Sequence, residues 1–180
     1  MAITPNLDAK LLSEMAPGEL VRFPAGATMV LGIVAGCDFM GIPSGLVIVL
    51  LEELPDQPGA VGRFLTVNEF LGSKTGLSYG REYDIVVHPS APTANSSDKQ
   101  FATDGALLVA AGARAIRTRN LRDDTTDTVL IIDTDTWKAV PSATPYRRWL
   151  VAVLAWELRL ATEVSKNHPL PAVFTFRAGD

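Results

Sequence analysis

The sequence predicts an α+β fold, in which a mostly antiparallel, partly barrel-like β-sheet carries one long C-terminal helix over about residues 145–166. Two observations predict the sheet: short segments rich in apolar and β-branched residues follow one another closely, and Pro, Gly and Asp residues separate them. Because strands joined by short connections pair antiparallel, a curled sheet is the expected product. A third observation, the recurrence of apolar residues at helical spacing near the C-terminus, predicts the helix.

The first half of the chain supplies four predicted strands. Each is rich in apolar residues and lies beside turn residues such as Pro17-Gly18. One of them is a continuous apolar run (LVIVLL), whose short length and Val/Ile content favour a buried strand over a helix. The four predicted strands cover residues 19–23, 28–35, 46–51 and 61–67.

A polar segment separates the two halves of the chain. Residues 83–88 form a further predicted strand, and the sequence after it is rich in Pro, Ser, Ala and Asn, which predicts a loop or linker over residues 89–104. The chain therefore divides into a β-rich, barrel-like half over residues 1–88, this linker, and strands plus the C-terminal helix over residues 105–180. A single domain overall is the alternative organisation.

The segment 105–119 is compatible with a helix or with strands. Its alanines allow a helix, whereas Gly112 and the alternation at its end favour two strands or one bent strand. Two further strands are predicted on either side of the C-terminal helix, over residues 127–134 and 171–177.

The predicted C-terminal helix has recognisable ends. Thr144 is a good N-cap residue, Pro145 suits the first helical position, and His168-Pro169 ends the pattern. An extended strand is the alternative interpretation, because Trp156, Leu158 and Leu160 also alternate. The apolar residues at helical spacing are Leu150, Val153, Leu154, Leu158 and Ala161.

Composition excludes several classes of protein. Of the 180 residues, 47% are apolar and 20% are charged, which indicates a globular chain, and the net charge of −4 argues against a nucleic-acid-binding protein. The single cysteine excludes an intramolecular disulfide, and two histidines exclude a three-histidine metal site within one chain. The N-terminus does not read as a secretory signal, and no apolar run approaches the ~20 residues that span a bilayer. We therefore expect a cytoplasmic protein that does not bind membranes.

The sequence Gly76-Leu77-Ser78-Tyr79-Gly80 matches the pattern G-x-S-x-G. It resembles the turn that exposes the nucleophilic serine of α/β-hydrolases, where glycines permit a tight strand-to-helix turn. That resemblance implies a catalytic set of Ser78, Asp133 and His168, with Asp135 as the alternative carboxylate, and these residues follow one another in the order typical of these enzymes. The apolar strand expected before the motif is missing, however, and a predicted strand rather than a helix follows it, so a Gly/Ser loop is the alternative interpretation.

The sequence Asp133-Thr134-Asp135 ends a strongly apolar predicted strand. Side chains at positions i and i+2 of a strand lie on the same face, so the two carboxylates can converge on Mg²⁺ or Ca²⁺. The alternative is turn chemistry, because Asp and Thr both form hydrogen bonds with nearby backbone groups.

Two further residues are candidates for chemistry. Cys37 precedes Asp38, whose negative charge disfavours a thiolate, so we expect this cysteine to be a small, half-buried side chain in a turn. His88 ends a predicted strand and has the side chain of a general base or a ligand, although a structural role is the simpler interpretation.

No nucleotide-binding, zinc-protease or Ca²⁺-loop motif occurs in the sequence. The mean hydropathy of +0.18 is high for a soluble monomer, and a subunit interface is one place where the surplus apolar surface can be buried. We therefore predict a non-catalytic binding or interaction protein that forms a homo-oligomer, needs no cofactor and binds an unidentified protein or small molecule. The alternatives are a serine hydrolase that uses Ser78, Asp133 and His168, and a divalent-metal site at Asp133 and Asp135.

Overall fold

The computed structural model describes residues 7–122, 128–141, 149–160 and 172–178, and its strands form three antiparallel sheets. Within these ranges, strands account for 49% of the residues and helical turns for 7%, with no long helix and no closed barrel. The predicted α+β class is therefore wrong, because the described chain is nearly all β-sheet. None of its helices has the length and apolar character that crossing a membrane requires.

The strands are numbered in chain order, and a short helix, α1 (Glu69–Gly72), lies between β5 and β6. The first sheet has the order β1-β6-β2-β3-β4-β5, the second β12-β11-β10-β9-β13-β8, and the third, small sheet has the order β15-β14-β7. The strands are β1 (Asp8–Leu11), β2 (Leu20–Ala25), β3 (Thr28–Gly36), β4 (Leu46–Leu50), β5 (Phe64–Thr66), β6 (Thr75–Ser78), β7 (Tyr83–Val86), β8 (Thr93–Asn95), β9 (Leu107–Ala110), β10 (Ala113–Arg119), β11 (Val129–Asp133), β12 (Ala139–Pro141), β13 (Val151–Val153), β14 (Ala155–Leu160) and β15 (Phe174–Arg177).

The four strands predicted in the first half are confirmed as β2 to β5. The continuous apolar run of β4 is buried along its whole length, because both faces of the first sheet are covered by apolar clusters. β2 and β3 form a hairpin whose turn contains Gly26 at φ +64°, a backbone conformation that favours glycine.

The predicted C-terminal helix is wrong over residues 149–160, where the chain forms β13 and β14; residues 145–148 and 161–166 lie outside the described residues. The physical reason is pairing with distant strands. β13 pairs with β8 and β9, and β14 pairs with β7 and β15, so each strand is bonded on both edges. The alternation of Trp156 and Leu158, both buried, with the less buried Glu157 and Arg159 then fits a period of two.

The segment 105–119 contains two strands, β9 and β10, joined at Gly112. The segment 89–104, which the sequence predicts as a loop or linker, contributes β8 and a 3-10 turn over Lys99–Ala102. Since β8 pairs with β13, part of this segment belongs to the second sheet.

One apolar cluster contains residues from all three sheets. In this cluster the Trp156 ring contacts those of Phe174 and Phe176, with ring centroids 5.3 and 5.8 Å away. Its indole N–H donates to the carbonyl oxygen of Gly105 at 2.9 Å. Members of this cluster include Leu20, Val49 and Phe64 from the first sheet, Leu107, Ile116 and Leu130 from the second, and Trp156, Leu158 and Phe176 from the third.

The backbones of the first and second sheets meet at Gly62 and Gly105. Gly62 has φ +80°, and a Cβ atom there would lie 2.6 Å from the Gly105 Cα atom. Gly59 provides a matched control, because it has the same φ of +80° but no atom within 4 Å of the corresponding position.

We expect Gly59→Ala to lower the free energy of unfolding by about 1–2 kcal/mol, because an L-residue is strained in the left-handed region. Gly62→Ala carries the same strain and also overpacks the junction, so we expect a further loss of about 1–3 kcal/mol. Urea denaturation of both variants measures the difference. Equal losses would show that the junction has room for a methyl group.

Candidate functional site

Ser78 lies at the end of β6 and its side chain is buried, with 3% of its surface exposed. Its hydroxyl group donates to Glu19 Oε2 at 3.0 Å and accepts from the backbone N–H of Gly80 at 3.0 Å. The other carboxylate oxygen of Glu19, Oε1, accepts a hydrogen bond from Lys10 Nζ at 2.6 Å. This network gives the hydroxyl group a structural role in holding a buried carboxylate.

Of the other two residues of the predicted catalytic set, only Asp133 lies within the described residues. Asp133 ends β11 in the second sheet, whereas Ser78 belongs to the first sheet. His168 lies outside the described residues. The Ser78–Asp133–His168 arrangement therefore stays a prediction.

The carboxylate of Asp133 caps the turn that follows β11. Its Oδ1 atom accepts from the backbone N–H groups of Asp135 and Thr136, both at 2.9 Å, and from the Thr136 hydroxyl group at 3.2 Å. The turn ends at Trp137, which has φ +55° and donates its backbone N–H to the Asp133 carbonyl oxygen. Hydrogen bonds within the turn thus engage Oδ1 of Asp133, and the described ranges contain no group of three or more His, Cys, Asp or Glu side chains that could hold a metal. The site at Asp133 and Asp135 stays a prediction.

A cavity of about 380 Å³ lies on the outer face of the small sheet, between β14, β15 and the chain that follows β7. Along β14, Trp156 and Leu158 point into the core, so Ala155 and Glu157 face outwards. The cavity is lined by His88, Ser90, Ala91, Pro92, Leu154, Ala155, Trp156, Glu157, Thr175, Arg177 and Ala178.

The polar part of this cavity is a connected network around Glu157. Its Oε2 atom accepts from Arg159 Nη2 at 2.7 Å and from Arg159 Nε at 3.1 Å, and its Oε1 atom lies 3.2 Å from His88 Nε2. The hydrogen bonds from Arg159, and secondly from His88, hold the pKa of the Glu157 carboxyl group below its ordinary value of 4.5. Glu157 is therefore ionised at neutral pH and already engaged by two donors.

Arg177 supplies a second cation at the cavity. It lies opposite Ala155 in the pairing of β14 with β15, and its side chain is exposed. Within the described ranges it makes no ion pair. The apolar part of the lining includes Ala91, Pro92 and Leu154. The cavity thus combines a guanidinium group with an apolar wall.

The sequence singles out His88 but does not pair it with Glu157, which falls inside the segment predicted as a helix. The two residues meet only because β7 pairs with β14, with Val86 opposite Glu157. The local signal for the site is that Ala155, Glu157 and Arg159 occupy every second position, alternating with buried apolar residues as in a strand. The helical interpretation of this segment hides that period of two.

Lowering the pH should remove the stabilisation that Glu157 provides. Because its pKa is lower in the folded chain, this contribution is complete above the ordinary value of 4.5 and is lost as the pH falls through the folded-state pKa. We expect the difference in unfolding free energy between the wild type and Glu157→Gln to shrink below pH 4.5. Denaturant titrations from pH 7 to pH 3 measure it, with Glu82→Gln, an exposed residue outside the network, as the control. A difference that is constant over this range would contradict the prediction.

Ser78→Ala should lower the free energy of unfolding by about 1–3 kcal/mol, because it leaves the buried Glu19 carboxylate without one donor. The exposed Ser97 provides the control substitution Ser97→Ala, for which we expect a change within about 0.5 kcal/mol. A serine-directed fluorophosphonate probe applied to the same proteins checks the chemistry. Labelling of the wild type that disappears in Ser78→Ala would contradict the structural role and support the hydrolase hypothesis.

Comparisons with known proteins provide no relative for this chain: no family model, no curated protein and no solved structure matches it. The cavity on the small sheet and the charges that line it are therefore the features that point to a function.

Proposed function

We propose that this chain is a non-catalytic binding protein that holds a small organic monocarboxylate in the cavity of the small sheet and forms a homo-oligomer. The observation that carries the proposal is the exposed guanidinium group of Arg177 at the rim of a cavity with an apolar wall. Ligand sites in proteins are typically apolar concavities with a few well-placed polar groups, and this cavity has that composition.

The size and charge of the cavity select the ligand class. A volume of about 380 Å³ is at the lower end of the range for small-molecule sites, which favours a compact ligand. The planar fork of an arginine matches a carboxylate with two parallel hydrogen bonds. Because the ionised Glu157 remains in the same cavity, a ligand with two negative charges meets more repulsion than a monoanion. The apolar body of the ligand then lies against Pro92 and Leu154.

The state of the titratable groups supports binding rather than catalysis. Glu157 accepts hydrogen bonds from Arg159 and lies within reach of His88, so its oxygens are engaged, and its lowered pKa makes it a weak base. Burial raises the pKa of the Cys37 thiol, which keeps it protonated and poorly nucleophilic at neutral pH. The proposal includes a cytoplasmic location, with which a single free thiol is compatible, and neither a nucleic acid nor a membrane as a partner.

Binding of hexanoate and of its neutral analogue hexanamide tests the ligand class. We expect hexanoate to perturb the amide resonances of β14 and β15 in heteronuclear NMR titrations, and hexanamide to bind about tenfold more weakly, because it lacks the charge that Arg177 recognises. Arg177→Gln should weaken hexanoate binding by about tenfold, whereas Arg81→Gln, at an exposed arginine outside the cavity, should leave it unchanged.

Two results would contradict the proposed site. The first is equal affinity for hexanoate and hexanamide in the wild type, since the guanidinium group would then play no part in recognition. The second is unchanged hexanoate binding in Arg177→Gln, which would place the ligand elsewhere on the molecule.

A further inference from the structure

The outer edge of the first sheet is formed by β1. In the described chain this strand pairs only with β6, and Leu7 and Leu11 are exposed large apolar residues, at 44% and 37%. The backbone groups on the free side of an edge strand are a template for another strand, and proteins that keep such an edge either block it or use it.

The hydrogen-bond phase of the sheet identifies which backbone groups of β1 are free. The pairing of β1 with β6 continues to Leu12, whose N–H donates to the Lys74 carbonyl oxygen at 2.9 Å. In an antiparallel ladder, alternate residues bond to the same neighbour, so Asp8 and Lys10 bond to β6 in phase with Leu12. The even-numbered residues of β6 therefore bond to β1, and its odd-numbered residues bond to β2 on the other side. The N–H of Tyr79, which follows β6, accordingly donates to the carbonyl oxygen of Leu20 in β2.

It follows that the N–H and C=O groups of Leu7, Ala9 and Leu11 point away from the sheet. These are the odd-numbered residues of the edge, and two copies of this edge can form a regular antiparallel ladder only if odd-numbered residues oppose one another.

The residues 7–11 read Leu-Asp-Ala-Lys-Leu, and this sequence is complementary to itself in the antiparallel direction. With a twofold axis at Ala9, Leu7 of one copy lies opposite Leu11 of the second copy, Asp8 lies opposite Lys10, and Ala9 lies opposite Ala9. Every pair is either apolar with apolar or negative with positive, and both kinds of cross-strand pair are stabilising. The same register opposes odd-numbered residues throughout.

The neighbouring registers are disfavoured. Shifting the pairing by one residue opposes odd-numbered with even-numbered residues and breaks the ladder. Shifting it by two residues restores the ladder but places Lys10 opposite Lys10, or Asp8 opposite Asp8, and like charges directly opposite one another are destabilising. Charge and hydrogen-bond phase therefore select the same register, centred at Ala9.

We propose that β1 pairs antiparallel with β1 of a second copy about a twofold axis at Ala9, so that the first sheets of two chains become one continuous sheet. This inference rests on the proposed self-association and specifies its surface. Lys10, whose ammonium group already contacts Glu19 Oε1 at 2.6 Å, then lies between that carboxylate and Asp8 of the second copy. The exposed side chains of Leu7 and Leu11 cover each other across the axis.

Charge reversals test the register through sedimentation equilibrium. Asp8→Lys gives a strand with two lysines, and Lys10→Asp gives a strand with two aspartates, so each variant alone opposes like charges and should dimerise at least tenfold more weakly than the wild type. An equimolar mixture of the two variants restores opposite charges at every pair, and we expect it to form heterodimers of near wild-type affinity. Asp56→Lys, the same charge change in an exposed loop, is the matched control.

The backbone is tested independently with Ala9→Pro, which removes an outward N–H group and should also weaken dimerisation at least tenfold. Circular dichroism and thermal unfolding establish that each variant is folded. A wild-type dimer that is unaffected by all of these substitutions would overturn the β1 interface and leave the self-association intact. A wild type that is monomeric at every concentration would overturn both.

Discussion

The hydrogen bond from the Trp156 indole to the carbonyl oxygen of Gly105 is buried at the point where the three sheets meet. There is no space for a side chain at this point, because a Cβ atom at Gly105 would lie 2.5 Å from the Phe176 ring. The close approach of Gly62 to Gly105 brings the first sheet to the second, and Trp156 attaches the small sheet to both. The close packing of the two glycines, the aromatic cluster and the hydrogen bond of the indole therefore all stabilise the same junction between the sheets.

The charges beside this junction strengthen the same arrangement. The Asp104 carboxylate, next to Gly105, contacts Arg117 in β10, Arg63 at 3.5 Å and Arg119 at 3.4 Å. Arg63 follows Gly62, so one carboxylate links both sides of the close approach. The orientation of β14 at the junction also positions the cavity, since a strand that points Trp156 inwards must point Glu157 outwards. The core and the candidate site are therefore two faces of one strand.

The sequence predicts the strands whose patterns are purely local. The run in β4 is apolar, β-branched and too short for a helix, and turn residues bound it, so the prediction needs no knowledge of its neighbours. The segment 149–160 is different, because its apolar residues fit both a period of 3.6 and a period of two, and the choice depends on pairing with β7, β9 and β15. For the same reason the sequence contains His88 and Glu157 but cannot show that they meet, since their contact depends on the register between β7 and β14.

The edge at β1 shows how a residue pattern acquires its meaning from the sheet around it. A lysine on an edge strand commonly prevents unwanted pairing with another strand. If such a pairing formed, the ammonium group would face a like charge or would be buried without a partner. In β1 the acidic Asp8 lies two residues before Lys10, on the same face of the strand. In the proposed pairing, these two charges discriminate between partner strands instead of opposing all of them. In the proposed pairing, a strand without this spacing of charges leaves Asp8 or Lys10 without an opposite charge, whereas a second copy of β1 places an opposite charge against each of them. In the proposed dimer the contact between copies is the β1 edge of the first sheet, whereas the proposed ligand cavity lies on the small sheet, so the two proposals rest on different strands and can be tested separately.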